Sequence, residues 1–546
     1  MKKTSCFLLS VFAIYVHSSA QSFRIPKIKN TSFKKDSFNI ISFGAKADGI
    51  TLNTISINNA IDACNKKGGG VVVVPAGNWL TGPLVLKSNV NLHLKRNALL
   101  QFTSDFNEYK LIETNWEGYP SARNQSPVSA INASNIAITG YGIIDGNGDA
   151  WRMVKKDKLT ATQWKTKLAS GGFEEKSTWY PSQSSLKGSK TESPGVLLNE
   201  KTINDFQEIK DFLRPNLLVL TRCDRILLEG VTFQNSAAWC LHPLMSSNLT
   251  IRNISVKNPW YAQNGDGIDV ESCSNVLIEN SVFDVGDDGI CIKSGRDAEG
   301  RKRAMPTKDV IIRNCTVYHA HGGFVIGSEM SGGANNISVT NCSFIGTDIG
   351  LRFKTTRGRG GVVENIFVDG IAMKDIPGEA ILFDMYYAAK DPIPLAGEQR
   401  LAPVVEFKPV NETTPQFKNF FIKNVVCTGA DKAIFIRGLP EMNIHGINLQ
   451  DIVISSVNGI EISEAFDVVM NNVKVILTNT SLVADVLNSY NISFNKFSTI
   501  ANPQTYIRIG GERSKNIKWI NSPSITSDEK VVFEFGATQK AFIIQP

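Results

Sequence analysis

Three aspartates, a histidine, an arginine and a lysine recur through the middle of this chain at intervals that suit stacked coils. Asp266 lies in NGDGIDV (264–270), Asp287 and Asp288 in VGDDGICIKSG (285–295), His321 in HAHGG (319–323), and Arg352 and Lys354 in LRFK (351–354). Asp266 and Asp287 are 21 residues apart, Asp288 and His321 33, His321 and Arg352 31. If each interval is one coil stacked on the last at the strand spacing of about 4.8 Å, the six side chains form a ladder on one face. Three carboxylates so crowded cannot all ionise, and one is pushed to hold a proton. The others can activate a water, while the two cations grip an anion. That is the chemistry of hydrolysis on an acidic substrate.

The elements that must carry this ladder are short β-rich runs broken by Gly, Asn, Asp and Ser. One phrase recurs as CDRILLEG, SNLTIRN, SNVLIEN, KDVIIRN, NNISVTN, ENIFVDG and KNFFIKN. With Arg225, Asn248, Asn275, Asp309, Asn336 and Asn365 as equivalent positions, the steps are 23, 27, 34, 27 and 29 residues. Such a period predicts an all-β chain wound as a right-handed parallel β-helix. A β-sandwich would want strands every 8 to 12 residues or so. Ile57, Ala60, Ile61 and Cys64 recur at helical spacing, with Asn53 or Thr54 as N-cap and Gly68 as stop, which predicts an N-terminal capping helix over the open first coil. Residues 38–105 read as cap and first coils. Residues 148–215 read as a loop insertion with helical patches at 159–169 and 204–213. No linker interrupts the rest, so residues 21–546 are expected to form a single catalytic domain.

Residues 1–20 read as a secretory signal: Lys2 and Lys3, an apolar core over 6–16, then Ser18, Ser19 and Ala20. The mature chain is expected to be exported, periplasmic or secreted, and monomeric, with neither a membrane span nor a nucleic-acid partner. The net charge of +7 becomes +5 without the leader lysines, a mild excess that suits a polyanion. Eight cysteines remain after Cys6, six of them near coil spacing, and read as a buried ladder of thiols. No C-x-x-C pattern occurs, and neither metal nor cofactor is expected.

At these motifs the chain resembles glycoside hydrolase family 28, the polygalacturonases and their relatives, over residues 38–387. The family's four signatures appear in order as Asn264-Gly265-Asp266, Gly286-Asp287-Asp288, Ala320-His321-Gly322 and Arg352-Phe353-Lys354, with Gly for Thr, Ala for Gly and Phe for Ile at single places. The resemblance implies an inverting hydrolase of α-1,4-galacturonosyl bonds acting on acidic pectic polysaccharide. Asp287 would be the acid, Asp266 and Asp288 would orient and deprotonate the water, and His321 would tune the acid. Arg352 and Lys354 would bind the uronate, with Asn264 and Tyr387 also contacting substrate, although Tyr386 adjoins Tyr387. Inversion calls for acid and base about 6.5 to 9.5 Å apart. Strand alternation from Asp266 would turn Asp269 and Glu271 to the opposite face. His242, His319 and His445 read as structural, and Glu329 is left open. The SGRDAEGR phrase resembles bacterial exo-acting members, in which insertions at 148–215 and 295–308 would close the non-reducing side. Competing readings are a rhamnogalacturonan hydrolase of the same family, a calcium-dependent pectate lyase and a tailspike-like binding solenoid.

Overall fold

The computed structural model describes residues 22–389, 402–500, 502–523, 525 and 530–545. The leader read at 1–20 lies outside them. Nearly all strands join one 35-stranded sheet paired in parallel, each strand bonding to its counterpart one coil earlier and one coil later. The recurring phrase forms one continuous stack, in which Ile136, Ile226, Leu249, Val276, Val310, Ile337 and Ile366 are register partners in turn. The chain is thus a parallel β-helix, with one apolar cluster running from Ile40 to Ala541 inside it.

The bends explain the repeating asparagines. Arg225, Asn248, Asn275, Asp309, Asn336 and Asn365, the positions aligned from sequence, all hold φ between 54° and 60°. That left-handed conformation penalises most side chains but is tolerated by Asn and Asp. The stacked amides also bond between coils, as where Asn336 donates to Asp309 at 2.7 Å and Asn365 to Asn335 at 3.0 Å. All eight described cysteines are buried free thiols.

The helix Thr54–Lys66 buries the four residues its spacing named and packs on the strands Ser37–Asn39, Gly70–Val74 and Leu84–Val85. Asn53 occupies its N-cap position without capping. Its side chain instead bonds Lys46, Thr51 and Leu80, so the loop before the helix competes successfully for it. Within 148–215 the helix Ala161–Ala169 has a complete capping box from Thr160 and Gln163, and the patch at 204–213 is a 3-10 run, Ile203–Phe212. One element had no place in the sequence reading: an antiparallel hairpin of Leu111–Trp116 and Tyr119–Asn124. No helix among the described residues is long and apolar enough to cross a membrane.

Candidate active site

In the strands Ile268–Glu271, Asp288–Lys293 and Leu351–Lys354, alternate apolar residues point inward: Ile268 and Val270, Ile290 and Ile292, Leu351 and Phe353. The residues between them therefore face outward. Asp269 pairs in register with Cys291, Cys291 with Val325, and Val325 with Arg352, while Glu271 pairs with Lys293. Asp269 and Glu271 consequently lie on the same outward side as Arg352, contrary to the alternation counted from Asp266. The count fails because Asp266 precedes its strand, after Asn264 has turned through φ +54°.

Asp266, Asp287 and Asp288 converge, each offering an oxygen within 4.8 Å of the others. They line a cavity of about 400 Å³ together with Asn264, Lys354 and Tyr387. His321 borders it through Nδ1, 3.3 Å from Asp287. Asp287 accepts from the backbone nitrogens of Asp288 (2.9 Å) and Asn264 (3.2 Å). Asp288 receives Lys354 at 2.8 Å and Arg352 at 3.2 Å, one on each carboxylate oxygen. Tyr387 lays its ring 4.9 Å from the Lys354 ammonium, whereas Tyr386 is turned to Arg437 and Arg357. The ambiguity between the two tyrosines resolves in favour of Tyr387 as the one facing the cavity.

These contacts sort the carboxyls. Burial raises Asp266, and the negative charges of Asp269 and Asp287 raise it further against the pull of Lys293, so it is driven to keep its proton. Burial would raise Asp288 too, but Lys354, Arg352 and Lys293 outweigh it and hold the group ionised far below the usual range. The Asp287 hydrogen bond raises His321 above 6.5 against the opposing effect of burial. The sequence reading put the proton on Asp287 and asked Asp266 to share in deprotonating water. The proton-holding environment is that of Asp266, because among the described residues it alone of the three is both deeply buried and without a cation at hydrogen-bond distance. A dication among the three carboxylates would stand against the two cations already spending their charge on Asp288.

Several residues of the cavity were not singled out from sequence. Lys293 binds Glu329 at 2.9 Å, lies 3.6 Å from Asp269 and sits over the Trp239 ring. Burial would raise Glu329, but Lys293 and Arg359 bring it down to about 2. Arg214, itself buried, reaches from the end of the 148–215 segment to the side-chain oxygen of Asn264 at 3.0 Å. It thereby fixes the turn that aims Asp266. His242 is fully buried and bonded to Glu271 at 2.8 Å, as its structural reading requires.

The hairpin reaches the edge of the cavity, where Glu117 forms part of the lining. Its two-residue tip, Glu117 and Gly118, has φ of 47° and 82°, the turn geometry that closes tight hairpins. Glu117 pairs with Arg296 at 3.1 Å, and Tyr119 bonds Asp297, which also holds Arg359. A Cβ on Gly118 would collide with the backbone of Arg296, so the tip presses directly on the start of the short helix Asp297–Arg303. Behind it, Trp116 stacks on Trp239 at 4.8 Å. The 148–215 segment does not form this wall itself. Its 3-10 run packs Phe206 and Ile209 against Ala122 and Leu111, supporting the hairpin from behind. The cue for the hairpin was Glu-Gly between two aromatic runs, NWEGY.

Comparison with known proteins agrees with this geometry. Residues 199–402 match the family model described as glycosyl hydrolases family 28, and residues 37–184 match one described as rhamnogalacturonase A/epimerase, pectate lyase-like. A probable polygalacturonase of Vitis vinifera is 31% identical over 353 residues, 63% of this chain and 62% of that protein. An exo-poly-alpha-D-galacturonosidase of Dickeya chrysanthemi is 29% identical over 80% of this chain and 70% of its own length. The chain thus spans just under two thirds of the first relative and somewhat more of the second. The crystal structure of an exopolygalacturonase from Thermotoga maritima superposes with a TM-score of 0.66 at 33% identity, over 79% of this chain and 89% of that one. With one β-helix, one set of carboxylates and a relative covered over most of its length, the chain belongs to glycosyl hydrolases family 28.

Proposed function

We propose that this protein is an exported hydrolase of α-1,4-galacturonosyl bonds in pectic galacturonan, removing single units from non-reducing ends. Members of its family are glycoside hydrolases, and the residues here have a consistent division of labour. The observation that carries the reading is the Asp288 carboxylate held between Arg352 and Lys354 in a cavity shared with Asp287 and a proton-holding Asp266.

Asp287 is the most exposed of the three carboxyls and is bonded to His321, so it stands where a glycosidic oxygen can take a proton. Asp288 is the base for water. Clamped by two cations it is a weak base, and a uronate carboxylate arriving between Arg352 and Lys354 would draw on the same charges and raise its basicity. Binding an acidic sugar would then prepare the base, which a neutral sugar could not do. Asp266, carrying its own proton, donates a hydrogen bond to the water rather than removing a proton from it. Asn264 and Tyr387 complete the substrate wall, and the hairpin lock supports exo action by ending the cleft. One oxygen of each of the three carboxyls lies within 4.8 Å of the others, whereas the window of about 6.5 to 9.5 Å usual for inverting pairs is between carboxyl groups. Inversion therefore rests on the family resemblance, and proton NMR of the newly released anomer checks it.

The leader, the monomeric state, the single catalytic unit over 21–546 and a capping role for the helix Thr54–Lys66 belong to the same reading. De-esterified polygalacturonate incubated with the protein and a chelator should yield saturated galacturonate. Unsaturated products would indicate elimination, and intact polymer would indicate a binding protein.

A further inference from the structure

Across the hairpin from the catalytic cavity lies a groove of about 1230 Å³, three times as large, and the two share no lining residue. Its floor is built from the same outward rows of the sheet. Ile131, Thr221, Leu244, Glu271 and Lys293 are register partners in turn, the first three in the groove and the last in the catalytic cavity. The floor is apolar and open, with Val85 38% and Ile131 55% exposed. Around it stand Lys201, Arg222 and Lys302, which form no ion pair among the described residues. Lys87 and Arg303 also line it, although they are paired with Asp62 and Glu271 outside the lining. Two acids, Glu113 and Glu299, face five cations.

We propose that this groove is a second binding site for acidic oligosaccharide, holding a stretch of oligogalacturonate apart from the chain being cut. The proposal rests on the galacturonan reading of the active site for its sugar class. Its own support is the apolar floor, which suits the C–H faces of sugar rings, and the cations at carboxylate reach. The volume exceeds the roughly 300–1,000 Å³ of ordinary small-ligand pockets, room for an oligomer rather than one ring. The hairpin stands between the two cavities, so a chain held in the groove anchors polymer and raises its concentration near the cleft.

Calorimetric titration of the Asp288→Asn protein with trigalacturonate tests this, with folding verified by circular dichroism and Asp287→Asn as a second inactive background. Two binding events are expected. One should weaken about tenfold on adding Lys201→Glu and Lys302→Glu, a few-fold for each exposed charge reversed, and should be absent with neutral galactotriose. In the otherwise native chain the same two reversals should leave kcat/KM on trigalacturonate unchanged and lower it on polygalacturonate. A single binding event, or a second one indifferent to both charge reversals, overturns the proposal. Product analysis of the native protein tests the catalytic reading separately, so either can fail alone.

Discussion

Two cavities lie on one sheet face, one on each side of the hairpin 111–124. On one side the outward rows carry Asp269, Lys293, Arg352 and Lys354, buried or nearly so and bound into ion pairs. On the other the same rows carry Val85, Ser129, Val219 and Ile131, with Lys201 and Lys302 at the rim, which form no ion pair among the described residues. The coil geometry is the same in both, so the solenoid alone does not make a reaction site. What differs is how far the charged groups are covered. Asp266, Asp288, Lys293 and Lys354 are each no more than 5% exposed, whereas Lys201 and Lys302 stand in solvent, and charge shifts of catalytic size require desolvation.

The largest effects should therefore come from removing charge on the covered side. Asp288→Asn is expected to lower turnover at least about 10²-fold, the scale of a lost base. It also leaves Lys354 buried without its partner, a loss of about 3 to 5 kcal/mol for a broken buried pair. Asp287→Asn should lose comparable turnover with a smaller drop in melting temperature, since its ion pair among the described residues is with half-exposed His321. Steady-state rates and thermal melts of both proteins check this, and equal destabilisation by the two would remove the distinction drawn between them.

The second way to break the comparison is to lift the partition. Gly118→Val forces the tip off Arg296 and should join the two cavities, turning the product pattern from single galacturonate units to mixed oligomers with a fast fall in viscosity. Arg296→Ala, which keeps the turn, should move partway in the same direction. If both variants still release only monomer, the hairpin is not the wall.

A smaller effect concerns pH. His321 is raised above 6.5 chiefly by its hydrogen bond to Asp287, so its charged form persists to higher pH in the folded protein and is lost as pH rises through that folded value. The alkaline limb of kcat should lie above 6.5 on this account. In Asp287→Asn the main cause is gone, and the His321 resonances in an NMR titration should move their midpoint downward. An unchanged midpoint would assign the shift to Asp348 or Asp288 instead.

Much of this was legible in the sequence, for identifiable reasons. The Asn positions at the bends, the helix 54–66 and the converging aspartates all follow from spacing, because a solenoid turns sequence period directly into position. The partition was not legible in the same way. Glu117 and Arg296 are 179 residues apart and meet only because the hairpin leaves the coil and returns over it. The proton-holding environment of Asp266 was not legible either, because it comes from burial and from the neighbouring Asp269, which motif position does not reveal. Lys293 offered a weak signal, since it follows inward Ile292 in DGICIK as Lys354 follows inward Phe353 in LRFK.

The smallest expected effect completes the comparison. Lys302 lies on the uncovered side, exposed and without an ion pair among the described residues, on the same short helix as Arg303, which pairs with buried Glu271 at 2.6 Å. Lys302→Ala should change stability by no more than about 0.5 kcal/mol, the range for exposed positions outside such networks. Arg303→Ala should cost several times more, because it strips a buried carboxylate that His242 alone cannot satisfy. The two residues are sequence neighbours, so position along the helix cannot account for the contrast. Denaturant titrations of both proteins decide the point: a large loss in Lys302→Ala would mean that the groove is built into the stability of the fold. It would then not be a surface left open for ligand.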